Sequence, residues 1–311
     1  MLSGRARGNA PGRRAVGQCP LAVAGQHADL HRTTREVEVE AQLPAHLVDC
    51  HTHAFPEKVA EKAQGSLARD YGREPYYDAT VGGLVQIMDR AGVDVSVILP
   101  VAMRADQVRS INDWAARTAS ERVIVFGSLH PDYEAIEEEV ERMLSMGIRG
   151  IKLQPGWQGF APDEERMDRI YRACEGRLII CFHCGGELRQ DIPLLSTPET
   201  LARVRERFPG LTMIAAHMGG FLMWDRAEEL LIGGDLYLDI SFCGPEYMPG
   251  EELARLIRKH GADRVLFGSD GPAGSVLAQK EHLLSLPLEP EELELVAWKN
   301  AARLLGLDSL S

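Results

Sequence analysis

With 311 residues, 45% hydrophobic and 26% charged, the chain is long enough to bury a sizeable core, and its length allows two domains or one large α/β barrel. A formal charge of −12, with no basic cluster in the folded part, argues against a nucleic-acid partner. No apolar stretch approaches the roughly 20 residues that span a bilayer, and the six cysteines are not spaced as a disulfide framework, so reduced thiols in a cytoplasmic protein are expected.

Residues 1 to about 44 differ from the rest. Arg5, Arg7, Arg13 and Arg14 precede the first acid, Asp29, and no periodicity is visible. An Arg-rich, acid-poor start can be a transit peptide. The composition fits a disordered N-terminal extension, or a misassigned start codon, better. Leu21-Ala22-Val23-Ala24 is too short for the apolar region of a secretory signal. Residues 45–311 are expected to form one domain.

From residue 47 onward, short β-branched runs alternate with amphipathic segments. Strands are expected at 47–51, 93–99, 123–129, 148–153, 178–183, 211–217, 236–240 and 264–269. Helices are expected between them at 80–91, 106–119, 132–146, 163–175, 197–207, 222–231 and 251–260, with 275–284 and 290–305 closing the chain. Thr197-Pro198-Glu199 reads as an N-cap followed by proline at the first helical position. Eight such units in sequence predict an α/β fold, a single-domain (β/α)8 TIM barrel of parallel strands. The alternative, a doubly wound open sheet, normally carries a Gly-rich phosphate loop after its first strand. Here that place holds His51-Thr52-His53.

That triplet is the strongest chemical signal. Residues i and i+2 of a strand face the same way, so two imidazoles at a strand end can close on one metal ion. By the same alternation Asp49 is expected on the face of His51 and His53, and Cys50 on the opposite face. His183, His217 and Asp270 end the later runs 178–183, 211–217 and 264–270. One such residue is more often structural than functional. Several on separate strands are hard to explain by packing, because the C-terminal strand ends of a barrel share one mouth. Lys152, from the fourth strand, faces the same mouth on this reading, with a snorkelling surface lysine as the bland alternative.

Other features invite plainer readings. Cys181-Phe182-His183-Cys184 is a C-x-x-C, but its cysteines fall on opposite faces of the run, so neither a redox nor a zinc role is expected. Gly185-Gly186 and Gly219-Gly220 permit tight turns as readily as close approach of backbone to a ligand. Trp157, Phe160, Met223, Trp224 and Phe242 stand where they either wall an apolar pocket or pack loops.

The order of these pieces resembles the amidohydrolase superfamily, and more closely its branch that includes aminocarboxymuconate-semialdehyde decarboxylase. The matching segments are Val48–His53, Gly150–Pro155, His183-Cys184-Gly185, Ala216–Gly220, Leu266–Pro272 and Asn300–Gly306, within residues 46–307. The resemblance implies that His51, His53, His183 and Asp270 hold one divalent metal, with His217 beside it in acid–base or oxyanion work. Imidazole and carboxylate suit Zn2+, with Mn2+ and Fe2+ compatible. The expected activity is hydrolysis of an amide, lactone or related C–N or C–O bond by metal-bound hydroxide, with His217 and Asp270 catalytic. The alternative is non-oxidative decarboxylation of a carboxylate-bearing substrate on the same site. In either case Lys152 is expected to meet a substrate carboxylate, unless it is carboxylated and bridges two metals. A metallo-deoxyribonuclease of the same superfamily fits less well, because those favour a Glu where this chain has Lys152 and the surface is acidic, and a non-catalytic binding barrel is the last reading. The expected partner is a small molecule, with homo-oligomerisation compatible and no nucleic acid or membrane involved.

Overall fold

The alternating runs become the staves of a barrel. A computed structural model describes residues 43–189, 191–307 and 310, so the expectations for residues 1–42 lie outside the described residues. The strands are β1 (Val48–Thr52), β2 (Val95–Ile98), β3 (Val123–Val125), β4 (Gly127–Ser128), β5 (Gly150–Leu153), β6 (Ile179–Phe182), β7 (Thr212–Ala215), β8 (Tyr237–Asp239) and β9 (Val265–Leu266). All pair in parallel, in the orders β1-β2-β3 and β4-β5-β6-β7-β8-β9. The third stave is interrupted at Phe126, whose N–H reaches the Ile98 carbonyl at 3.0 Å. The ring closes where Cys50 N–H donates to Phe267 O at 2.9 Å and Asp270 N–H donates to His51 O at 2.7 Å. The result is a (β/α)8 TIM barrel.

Side-chain alternation sorts the core into two populations. Val95, Val97, Leu99, Ile179, Cys181, Ile214 and Leu266 meet inside the barrel, where Ala301 and Leu305 of the terminal helix pack against them. Their strand neighbours Ile98, Ile151, Leu153, Ile180, Phe182, Met213 and Leu238 belong to the larger cluster shared with the surrounding helices. The helices follow the expected segments, and Thr197 caps Pro198–Arg207 by accepting from Thr200 N–H.

Besides the single turn Pro155–Gln158, one helix was not expected. Glu57–Tyr71 follows β1 directly. Its sequence shows no core-facing apolar stripe and carries Gly65-Ser66 at its middle, which reads as a break. The reason lies in what it faces. Ala63, Ser66, Leu67 and Asp70, spaced i, i+3, i+4 and i+7, line a cavity at the barrel mouth instead of the core.

Among the described residues no helix is long and apolar enough to cross a membrane. The five described cysteines are all free and buried.

Candidate metal centre and active site

The first feature of the site is a bulge in β1. Asp49 is in register with Ser96, but Thr52 is in register with Ile98, so β1 carries one extra residue between them. This overturns the simple alternation. Cys50 joins the interior cluster with Cys181 and Leu99. Asp49 Oδ1 instead accepts the backbone N–H groups of His51, at 3.2 Å, and Ser269, at 3.0 Å. Burial pushes the Asp49 carboxyl up to about 7. The bulge still leaves His51 facing inward, against Gly268. A Cβ at Gly268 would stand 2.9 Å from the Cβ of His51, so any larger residue there displaces the imidazole.

Four imidazoles and one carboxylate converge. Asp270 Oδ1 lies 2.9 Å from His53 Nε2 and 3.6 Å from His51 Nε2. His217 Nε2 lies 3.1 Å from His183 Nδ1. Ligand atoms of His51, His217 and Asp270 all fall within 4.8 Å of one another. His217 and Asp270 have left-handed backbones, φ 59° and 58°. Such conformations cost non-glycine residues on the order of 1–3 kcal/mol each and cluster at functional sites.

The outer nitrogen of each ring is tied down. His53 Nδ1 donates to Leu99 O at 2.9 Å, and His217 Nδ1 donates to Ser241 O at 3.1 Å. His183 Nε2 faces Gly186 O at 3.2 Å and Glu187 Oε1 at 3.3 Å. His51 Nδ1 faces Asp239 Oδ2 at 2.9 Å. Carbonyl and carboxylate oxygens only accept, so these partners place the ring proton on the outer nitrogen. The inner nitrogens of all four rings then present lone pairs, to each other and to Asp270. The Lys152 ammonium, 3.3 Å from His51 Nε2, answers one of these five acceptor atoms, and the other four repel one another unless a further cation lies among them. The donor set therefore fits a divalent metal, and the outer partners are those that orient metal-bound imidazoles.

The electrostatics agree. Burial, aided by the Lys152 charge, lowers the basicity of His51, and burial holds His217 down to about 4. Burial also takes His183 well below its ordinary value. Burial opposes charge on Asp239 and Asp270, but the facing imidazoles outweigh it and hold both carboxyls below the usual carboxylate range. Neutral rings and ionised carboxylates are the forms a metal takes.

Lys152 lies elsewhere than expected for a partner of a substrate carboxylate. It is fully buried, its Nζ 3.3 Å from His51 Nε2 and 3.9 Å from Cys181 Sγ. The cause is register. Lys152 pairs with Cys181, two residues before His183, so its side chain starts one interior layer below the mouth.

The mouth opens into a cavity of about 360 Å3 beside His51, His53, His183 and Asp270. Phe55, Leu67, Met103 and Trp157 form its apolar wall, and Gln154, Glu187 and Asp70 its polar groups. Among the described residues no lysine or arginine lines it. Glu187 Oε1 accepts from Gln154 Nε2 at 2.9 Å. Of the aromatic candidates, Trp157 lines the cavity. Phe160 is buried in the outer core. Phe242 stands edge-on to His217, with ring centroids 6.1 Å apart. Trp224 donates to the His217 carbonyl at 3.0 Å. Cys184 donates to Gly219 O at 3.0 Å and belongs to the outer cluster, whereas Cys181 is interior.

Asp239 and Ser241 were not anticipated. Ser241 Oγ lies 2.8 Å from His217 Nδ1 and 3.1 Å from His51 Nδ1, and it donates to Asp239. The signal was present, because Asp239 ends its strand run as His183 and Asp270 follow theirs.

Residues 48–307 match the family model Amidohydro_2, described as amidohydrolase. Solved structures with the same architecture include an uncharacterised TIM-barrel protein from Bordetella bronchiseptica, 22% identical, with TM-score 0.66, covering 84% of this chain and 98% of that one. Another is 5-carboxyvanillate decarboxylase from Novosphingobium aromaticivorans, complexed with manganese and 4-hydroxy-3-methoxy-5-nitrobenzoic acid. It is 17% identical, with TM-score 0.67, covering 86% of this chain and 97% of that one. A third is 2,6-dihydroxybenzoate decarboxylase from Rhizobium, 17% identical, with TM-score 0.62, covering 85% and 99%. At these identities the likeness shows the fold. No curated protein matches the chain.

Proposed function

Because this chain belongs to the amidohydrolase family Amidohydro_2, we propose that it is a metal-dependent hydrolase of a small neutral or cationic molecule, cleaving an amide, lactone or related C–N or C–O bond. The observation that carries this reading is the convergence of five acceptor atoms beside a cavity wall with no lysine or arginine among the described residues. His51, His53, His183 and Asp270 hold one divalent ion, Zn2+ by the donor set with Mn2+ and Fe2+ compatible. A bound divalent ion supplies Lewis acidity, polarising a carbonyl oxygen and acidifying water.

The chain's own residues do the rest. His217 is neutral, its Nδ1 proton directed to Ser241, so its Nε2 lone pair is free to orient or accept a proton near the reacting carbonyl. Asp270 would hold the ion through Oδ1, the oxygen facing His51 and His53, and would take a proton from the attacking water on its other oxygen and return it to the leaving group. Phe55, Leu67 and Met103 exclude bulk water from the apolar part of the substrate. Free, buried thiols support a reducing, cytoplasmic setting.

A second reading is non-oxidative decarboxylation of an aromatic acid. Two of the structural neighbours are aromatic-acid decarboxylases, and the aromatic wall suits a ring. Against it, no lysine or arginine lines the cavity among the described residues, and Arg189 beside it is already paired with Asp70 and stacked on Trp157. A screen of metal-reconstituted protein against lactones, amides and aromatic acids separates the two. Product acid from lactones or amides supports hydrolysis, and CO2 release from aromatic acids with no hydrolysis would replace it.

A further inference from the structure

We infer that the substrate carries a protonated amino group a few bonds from the reacting carbonyl, and that Glu187 on the cavity wall is the residue that reads it. The inference rests on the proposed use of this cavity as the substrate site and adds the chemical class of what enters it.

Glu187 is a partly buried carboxylate with no lysine or arginine in contact with it among the described residues. Its side chain is 13% exposed. Its partners are the Gln154 amide at 2.9 Å, the Trp157 indole, and His183 Nε2 at 3.3 Å. Elsewhere the fold answers such carboxylates with arginine. Glu139, nearly fully buried, is bound by Arg142, and Asp168 is bound by Arg172 and Arg207. Of the wall carboxylates, Asp70 is paired with an arginine, Arg189, at 3.3 Å and Asp270 faces the proposed metal ligands, whereas the donors to Glu187 are the neutral Gln154 and Trp157; buried carboxylates ordinarily have a charged partner.

A carboxylate has about four acceptor positions. Gln154 and Trp157 donate to two of them, and the His183 Nε2 proton goes to Gly186 O, so acceptor positions are left for a donor arriving from the cavity. The position also sets the distance. His183 touches Glu187 with one ring nitrogen and His217 with the other, so Glu187 stands one imidazole ring from the reacting centre. A cation held there sits close to the scissile carbonyl, while the rest of the molecule lies along Phe55, Leu67 and Met103. A carboxylate-bearing ligand in the same place would face Glu187 with like charge.

The test is calorimetric binding of three probes to the metal-loaded full-length protein: 3-phenylpropylamine, 3-phenylpropan-1-ol and 3-phenylpropanoate. The amine is expected to bind at least tenfold tighter than the alcohol, and the propanoate weakest. 3-Phenylpropylguanidinium, which stays protonated and does not coordinate a metal, should share the amine's advantage. Because Glu187 also faces His183, Glu187→Gln is first brought to the wild-type metal content, checked by elemental analysis, and its fold checked by circular dichroism; it should then bind amine and alcohol equally, whatever their common affinity. Equal binding of amine and alcohol by wild type, tightest binding of the propanoate, no binding of any probe, or a preference surviving Glu187→Gln would each overturn the inference. Because no turnover is measured, failure of the hydrolysis screen with the amine preference intact would reject the proposed reaction and not the role of Glu187.

Discussion

Asp239 Oδ2 lies 2.9 Å from His51 Nδ1, and Asp239 Oδ1 accepts the backbone N–H of His217 at 3.1 Å. One buried carboxylate thus fixes the ring proton of His51 and the position of His217. Replacing it by the isosteric amide removes the charge-assisted bond without opening a void. Asp239→Asn is expected to weaken metal affinity by roughly 10- to 100-fold, the usual cost of losing such a partner. Competition with a chelating dye checks this, and an unchanged dissociation constant would show that Asp239 only packs.

His217 should separate rate from metal content. Its Nε2 is near Asp270 and His51, but it is expected to act on substrate beside the ion and not as its anchor. His217→Asn should lose on the order of 10²–10⁴ in kcat, the range for an acid–base group, with metal content retained. Loss of the metal instead would make His217 a ligand.

Lys152 is expected to act through His51 and not through substrate. Its Nζ is buried 3.3 Å from the His51 nitrogen that faces the metal centre. A positive charge there opposes a bound dication, so Lys152→Met should tighten metal binding by about tenfold or more. The ratio of KM for carboxylate-bearing and neutral compounds should not change. A selective rise in KM for carboxylates would return Lys152 to the substrate. A wild-type content near two metals, with activity raised by bicarbonate, would make it a carboxylated bridge.

The staves of the barrel were legible because β-branched runs separated by amphipathic segments leave few alternatives. His51, His53, His183, His217 and Asp270 were legible for a related reason: each ends a run, and a barrel brings strand ends together. What alternation cannot show is an extra residue. The bulge between Asp49 and Thr52 turns Cys50 inward and takes Asp49 to Ser269, and it exists only in the pairing of β1 with β2. The depth of Lys152 is likewise a matter of register with Cys181. The helix Glu57–Tyr71 was hidden because its inner face meets a cavity, which selects no apolar stripe. The unmatched charge of Glu187 depends on which arginines reach the wall, and no local pattern encodes that.

The thiols offer a check on the C-x-x-C reading. Burial pushes the Cys174 and Cys181 thiols up to about 12. At pH 8 both remain protonated, and the thiolate is the reactive form. Iodoacetamide at pH 8 should leave Cys174 and Cys181 unmodified in native protein and label them after denaturation, as read by peptide mass spectrometry. Rapid native labelling of Cys181 would show that the barrel interior opens.

Elemental analysis of metal-reconstituted protein, wild type beside His51→Ala/His53→Ala, tests the metal centre most directly. Wild type is expected to carry about one divalent ion per chain and the double variant almost none, because both rings face Asp270 with their proton-free nitrogens. A wild type without metal after reconstitution, or a double variant with unchanged content, would contradict the account.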